Sequence, residues 1–205
     1  MKNIKFIYFD VGGVVVKDFS ETNNWQKVWD EVKIPPEKQK NIGEAFLAFE
    51  KEACVGRSVE DFVPILRNNF GVKIPENYCF LDEFINRFEK NGRIDVWLKK
   101  IKDKFQIGLL TNMYPGMFEA IQKRNIMPKI DWKVIVDSSK VKLKKPEIEI
   151  YQLAEELAKT KPEEILFIDN KKKNLESAQQ LGWQTFWYDS ADYEQSSAEL
   201  EKYLG

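Results

Sequence analysis

The chain has no histidine. That removes every mechanism built on an imidazole base and every metal site held by imidazole nitrogens. Cysteine is scarce: Cys54 and Cys79 do not form a metal-binding spacing and read as free thiols. A charge imbalance is also missing. With 32 basic and 33 acidic residues the net charge is −1, so no bulk field draws the chain to nucleic acid or to an anionic membrane surface. The apolar runs are too short to span a bilayer. The N-terminus lacks the apolar core and cleavage site of a secretory signal, which makes a cytoplasmic location the expectation. No GxGxxG or GxxxxGK[ST] phosphate fingerprint follows a strand, which weighs against a general nucleotide-binding protein. No internal repeat or low-complexity tract is present. The chemistry left available belongs to carboxylates, lysine, hydroxyls and tyrosine.

What is there begins with Ile4-Lys5-Phe6-Ile7-Tyr8-Phe9-Asp10-Val11-Gly12-Gly13. The β-branched and aromatic run reads as a buried strand stopped by a glycine pair. It ends on a carboxylate, and a charge at the end of a buried strand is costly unless paired or bound to a metal. In open α/β sheets that end is where ligands bind. A solvated turn aspartate is the plainer alternative, and this segment alone does not choose between them.

From about Ser20 to Lys90 only helical periodicity appears. Trp25, Val28, Trp29 and Val32 share one face, Pro35-Pro36 opens a second helix through Ile42, Phe46 and Phe49, and two more carry Phe62, Ile65 and Leu66, then Leu81, Phe84 and Phe88. Four helices inserted after one strand look like a separate lobe. After Gly92, strands and helices alternate, with strands over 106–112, 132–136, 165–169 and 184–188. Alternation of this kind predicts a parallel sheet with helices on both faces. At 205 residues the chain is long enough for a core with a smaller insert.

The C-terminal ends of these strands carry Asp10, then Thr111 and Asn112, then Asp169 and Asn170, while Lys145 sits in the loop before the helix at Glu147. A parallel sheet gathers those ends on one edge. The set suits a phosphate: the ammonium and hydroxyl bind its oxygens, carboxylates hold a divalent cation, and one carboxylate attacks phosphorus.

Asp10-Val11-Gly12-Gly13-Val14, Leu110-Thr111-Asn112, Lys145-Pro146-Glu147 and Phe167-Ile168-Asp169-Asn170 resemble, in order and rough spacing, the four motifs of the haloacid dehalogenase superfamily. Asn174-Leu175-Glu176-Ser177-Ala178 is similar to the helix that follows the fourth motif, and Glu50 to Val59 resembles the substrate loop of a helical cap. The resemblance covers nearly the whole chain. It implies an α/β fold, a Rossmann-like parallel sheet flanked by helices, with a catalytic core over 1–16 and 91–205 and an all-helical cap over 17–90.

It also implies a Mg²⁺-dependent hydrolase, most often a phosphatase of a small phosphorylated metabolite such as a sugar phosphate, monomeric or homodimeric. Asp10 would be the nucleophile and Lys145 its charge partner. Thr111, Asn112, Gly12, Gly13 and Arg57 would contact the substrate or its phosphate. Asp10, the Gly12 carbonyl, Asp169 and Asn170 would hold the metal. Two departures stand out. The family's usual general acid, an aspartate two residues after the nucleophile, is Gly12 here. Its loss predicts a preference for leaving groups that need little protonation, such as anomeric or acyl phosphates. Counting back from Asn174, Asn170 falls where the metal-binding aspartate usually stands, which removes a formal charge from a hard-cation site. Two alternatives follow from these departures: a phospho-ligand or partner binder without turnover, and a metal-free haloacid dehalogenase. The run Lys171-Lys172-Lys173 reads as a solvated helix start, and Cys54 as a small buried residue.

Overall fold

The structure, a computed structural model, describes residues 3–205. Its main sheet contains β1 (Phe6–Phe9), β4 (Gln106–Thr111), β5 (Val134–Asp137), β6 (Ile165–Asp169) and β7 (Gln184–Trp187), in the order β5-β4-β1-β6-β7. Every neighbouring pair is parallel. β1 lies at the centre and all four of its residues are buried, as expected of a strand covered on both faces.

Alternation along β1 divides the interior. Ile7 and Phe9 face a core shared with α5 (Gly92–Ile101), α6 (Met117–Lys123) and α10 (Tyr193–Leu204). Phe6 and Tyr8 face the other side, with α8 (Ile148–Ala158) and α9 (Lys172–Gln180). The periodic face read from the sequence on α5, Ile94, Trp97, Leu98 and Ile101, is the buried one. Asn91 caps that helix, its Oδ1 accepting from Ile94 N, and its amide donates to the Val14 carbonyl at 2.7 Å, which ties α5 to the turn after β1. A four-residue helix, α7 (Ser138–Val141), follows β5.

The first strand stops at Phe9, and Val11 to Val15 form a tight turn closed by Val16 N to Val11 O at 2.9 Å. The chain then leaves the sheet through β2 (Val16–Lys17) and returns through β3 (Glu89–Lys90), an antiparallel pair. Between them stand α1 (Asn24–Glu31), α2 (Pro36–Ala53), α3 (Phe62–Phe70) and α4 (Phe80–Ile85). Aromatic side chains fill this helical insert. Phe46 packs on Trp25, Phe62 and Phe80 with centroids 4.8, 5.1 and 5.5 Å away, and Phe19 stacks on Phe84 at 4.0 Å. Glu60 caps α4 by accepting from Phe80 N and Leu81 N at 2.8 and 2.9 Å. The insert's core is continuous with the Ile7 and Phe9 side of the sheet. Among the described residues, no helix is long and apolar enough to cross a membrane.

Candidate active site

Register brings the carboxylates together. Phe9 lies opposite Leu109 on β4 and Ile168 on β6, so the next residue, Asp10, is level with Leu110 and Asp169, and Thr111 is one step further along. Lys145 Nζ sits between the two acids, 3.0 Å from Asp10 Oδ1 and 2.6 Å from Asp169 Oδ2, with 1% of its side chain exposed. Buried charges persist only when paired and hydrogen-bonded, and here each is. Asp169 also accepts from Lys171 N at 2.7 Å and Asn174 Nδ2 at 2.9 Å. Complete burial pushes its carboxyl up, to about 6, against the pull of the Lys145 ammonium. Asp10 Oδ1 accepts from Val11 N at 2.7 Å as well as meeting Lys145, which leaves Oδ2 as the oxygen without a protein donor among the described residues.

Lys145 is held by its own backbone. Asn112 Nδ2 donates to Lys145 O, and Lys145 N donates to Asn112 Oδ1, both at 2.9 Å. This pair pins the loop before α8, with its cis Lys145–Pro146 peptide, to the end of β4. Asn112 therefore acts on the site through Lys145 as well as by its position beside Thr111.

The glycine turn is packed against a second polar group. Gly13 has φ +78°, and a Cβ there would fall 2.1 Å from Asn170 Nδ2, so only glycine fits. Asn170 Nδ2 donates to Ser20 Oγ and Ser190 Oγ, each at 3.0 Å, and Ser190 Oγ donates to Gly13 O at 2.7 Å. Asn170 Oδ1 is buried with no partner. A Cβ on Gly12 would lie 2.4 Å from Asp18 Oδ2. The Asp18 carboxyl thus occupies the space beside Gly12 that a side chain there would need. Desolvation pushes its pKa up, and the nearby Asp10 charge adds to the shift, against hydrogen bonds from Ser20.

The donors available to a cation are all oxygens, the preference of a hard divalent ion such as Mg²⁺. Among the described residues no three His, Cys, Asp or Glu side chains form a metal-holding group. An orphaned buried amide oxygen nevertheless costs about 1–3 kcal/mol unless something satisfies it, and Asn170 Oδ1 is one. The Asn170 amide packs against Gly13, which places this oxygen donor beside the turn that follows Asp10. Asp169, whose two oxygens already accept three hydrogen bonds, is placed to hold Lys145 and the start of α9.

A cavity of about 860 Å³ opens above this floor. Asp10, Gly12, Thr111, Asn112 and Lys145 line its base, and the helical insert forms its roof. Two expectations are corrected here. Arg57 does not reach the cavity: it is exposed, bound to Glu52 at 2.7 Å and Asp61 at 3.2 Å, and stacked 4.6 Å over Phe49. Lys171, read as part of a solvated helix start, lines the cavity instead. Enclosure works against its charge, but the carboxylates of Asp10, Glu50, Asp169 and Asp18 outweigh it and raise its pKa. Cys54 also borders the cavity, where burial pushes its thiol up to about 12.

Asp18 and the Glu50–Tyr114 hydrogen bond, 2.7 Å, were not visible from spacing, because both depend on contacts across the turn or between the insert and the sheet.

The family model for haloacid dehalogenase-like hydrolases matches residues 4–182. The chain belongs to that family. It is similar to a HAD family enzyme from Bacteroides thetaiotaomicron, at 22% identity over 93% of this chain and 96% of that one, TM-score 0.74; the same enzyme has been solved in complex with magnesium and inorganic phosphate. It is also similar to the L-2-haloacid dehalogenase of Xanthobacter autotrophicus with chloropropionic acid covalently bound, at 17% identity over 92% of this chain and 80% of that one, TM-score 0.63. At these identities the solved structures establish a shared fold. Among curated proteins the chain matches bifunctional epoxide hydrolase 2 of Sus scrofa, 24% identical over 96% of this chain and 38% of that protein's length. This member of the haloacid dehalogenase-like family is accordingly a hydrolase.

Proposed function

We propose that this hydrolase is a Mg²⁺-dependent phosphatase of a small phosphorylated metabolite, working through an aspartyl-phosphate at Asp10. The observation that carries the reading is Lys145, a single buried ammonium 3.0 and 2.6 Å from two carboxylates at the base of a cavity. The arrangement orients Asp10 while placing positive charge where phosphate oxygens arrive. Thr111 and the Asn112 backbone hold those oxygens. Asp10 Oδ2 attacks phosphorus, the P–O ester bond breaks, and the phosphoryl group moves to the carboxylate. Water then cleaves the acyl phosphate, restoring Asp10 and releasing inorganic phosphate. Asp10, the Gly12 carbonyl and Asn170 Oδ1 would hold Mg²⁺, which when bound would supply charge neutralisation for the phosphoryl oxygens.

The proton for the leaving oxygen comes from Asp18. Its carboxyl fills the space left at Gly12 and borders the same cavity as Asp10. This placement supports turnover over a binder without chemistry. The dehalogenase reading draws support from the Xanthobacter likeness. It requires a cationic cradle for halide; Arg57, outside the cavity, does not supply one, but Lys51 and Lys171 line the cavity, and the halide assay below separates the two readings.

The test is phosphate release from a panel of phosphomonoesters with Mg²⁺ titrated from zero, run beside halide release from 2-chloropropionate without metal. Mg²⁺-dependent phosphate release is expected; halide release alone overturns the proposal.

A further inference from the structure

We propose that the substrate of this site carries a bulky apolar group, so that the phosphate binds at Asp10 and the organic part lies against the aromatic roof. The inference rests on the phosphatase reading above and narrows its substrate. A cavity of about 860 Å³ is far larger than a phosphate requires and falls in the range that encloses drug-sized ligands. Its roof and wall are made by Phe19, Trp25, Phe46, Phe84 and Met117, with Leu47 at 63% exposure along the helix that bears Phe46.

Several polar groups of the roof already have partners, and those left to a substrate among the described residues are few: the Lys51 ammonium and the indole N–H groups of Trp25 and Trp29. Glu50 accepts from Tyr114 Oη at 2.7 Å, Ser20 Oγ accepts from Asn170, and Cys54 is a neutral thiol. Of the polar side chains that α2 contributes to the cavity, only Lys51 has no side-chain contact among the described residues. A sugar brings several hydroxyls, and each needs a partner when it leaves water. This wall satisfies few of them. An alkyl or aryl group needs none and gains from burial against the rings. The wall therefore points away from the sugar phosphates expected from the sequence.

Gly43 marks the opening. It sits mid-way along α2, where glycine is less favourable than alanine, and a Cβ built there meets nothing within 4 Å. It borders the cavity and leaves room for a substrate chain.

A homologous series of alkyl phosphates, ethyl to octyl, isolates the effect, because leaving-group chemistry stays nearly constant while apolar area grows. We expect kcat/KM to rise about tenfold or more along the series. Affinity for the matching alkylphosphonates, read from Trp25 and Trp29 fluorescence, should rise in parallel. Gly43→Phe should make both rises level off at a shorter chain, with Gly43→Leu as the milder second variant. Flat rates and flat affinities across the series overturn the inference. Rising phosphonate affinity with no turnover of any phosphate keeps the apolar site and overturns the phosphatase reading instead.

Discussion

At position 12 a glycine stands where the family's acid usually does, and the space beside it is filled by the carboxyl of Asp18. Asp18→Asn should therefore slow hydrolysis of alkyl phosphates by about 10²–10⁴-fold and leave acyl phosphates, whose leaving groups need little protonation, nearly untouched. Comparing kcat on octyl phosphate and acetyl phosphate checks this, and equal losses on both would contradict it. Lys145→Met should leave two buried carboxylates facing each other without their cation, a change that costs about 3–5 kcal/mol. Thermal unfolding with and without the substitution measures that loss. Cys54, with its thiol pushed up to about 12, stays protonated at every ordinary pH. Alkylation requires the thiolate, so iodoacetamide at pH 8 should label Cys54 slowly in the native protein and readily once it is unfolded. Asp10, Thr111, Lys145 and Asp169 were legible in the sequence because each stands at or next to the end of a recognisable element. Asp18 was not, since its meaning comes from a turn that folds it back onto Gly12. Arg57 misled because a cation in a loop of the insert carries no sign of which way it points, and its nearest acids, Glu52 and Asp61, claim it.

Among the elements, β1, β4 and β6 do the positioning. One residue of slip between β1 and β6 would separate Asp10 from Asp169, and the paired register of Phe9 with Ile168 prevents it. The loop before α8 depends on the two Asn112 hydrogen bonds to Lys145. Asn112→Ala removes both, at roughly 1 kcal/mol each, and frees the backbone that aims Lys145. Amide exchange across 143–147 should accelerate, and kcat should fall more than KM rises; unchanged exchange would show that the clamp is dispensable. The long strands and amphipathic helices were readable from period and length. The two-residue strands β2 and β3 were not, because alternation needs several residues to show. The first strand is shorter than the run from Ile4 to Asp10 suggests, since only Phe6–Phe9 pair with their neighbours in the sheet.

Over the whole molecule, one apolar core runs from Phe9 through Met113 and Met117 into the aromatic cluster of the helical insert. The insert and the sheet should consequently melt in a single cooperative transition. Calorimetry giving two separable transitions would show that they fold as independent units. The same continuity places the aromatic roof over Asp10, so that the proposed chemistry and the proposed substrate choice fall to different parts of the chain. Both proposals depend on Asp10 becoming phosphorylated. The most direct measurement is peptide mass analysis after acid quench of the protein mixed with Mg²⁺ and a turned-over phosphate ester. A phosphoryl group is expected on the peptide containing Asp10, absent in Asp10→Asn together with a loss of turnover of at least about 10⁴-fold. Phosphate release that persists in Asp10→Asn, with no modified peptide at any quench time, would contradict it.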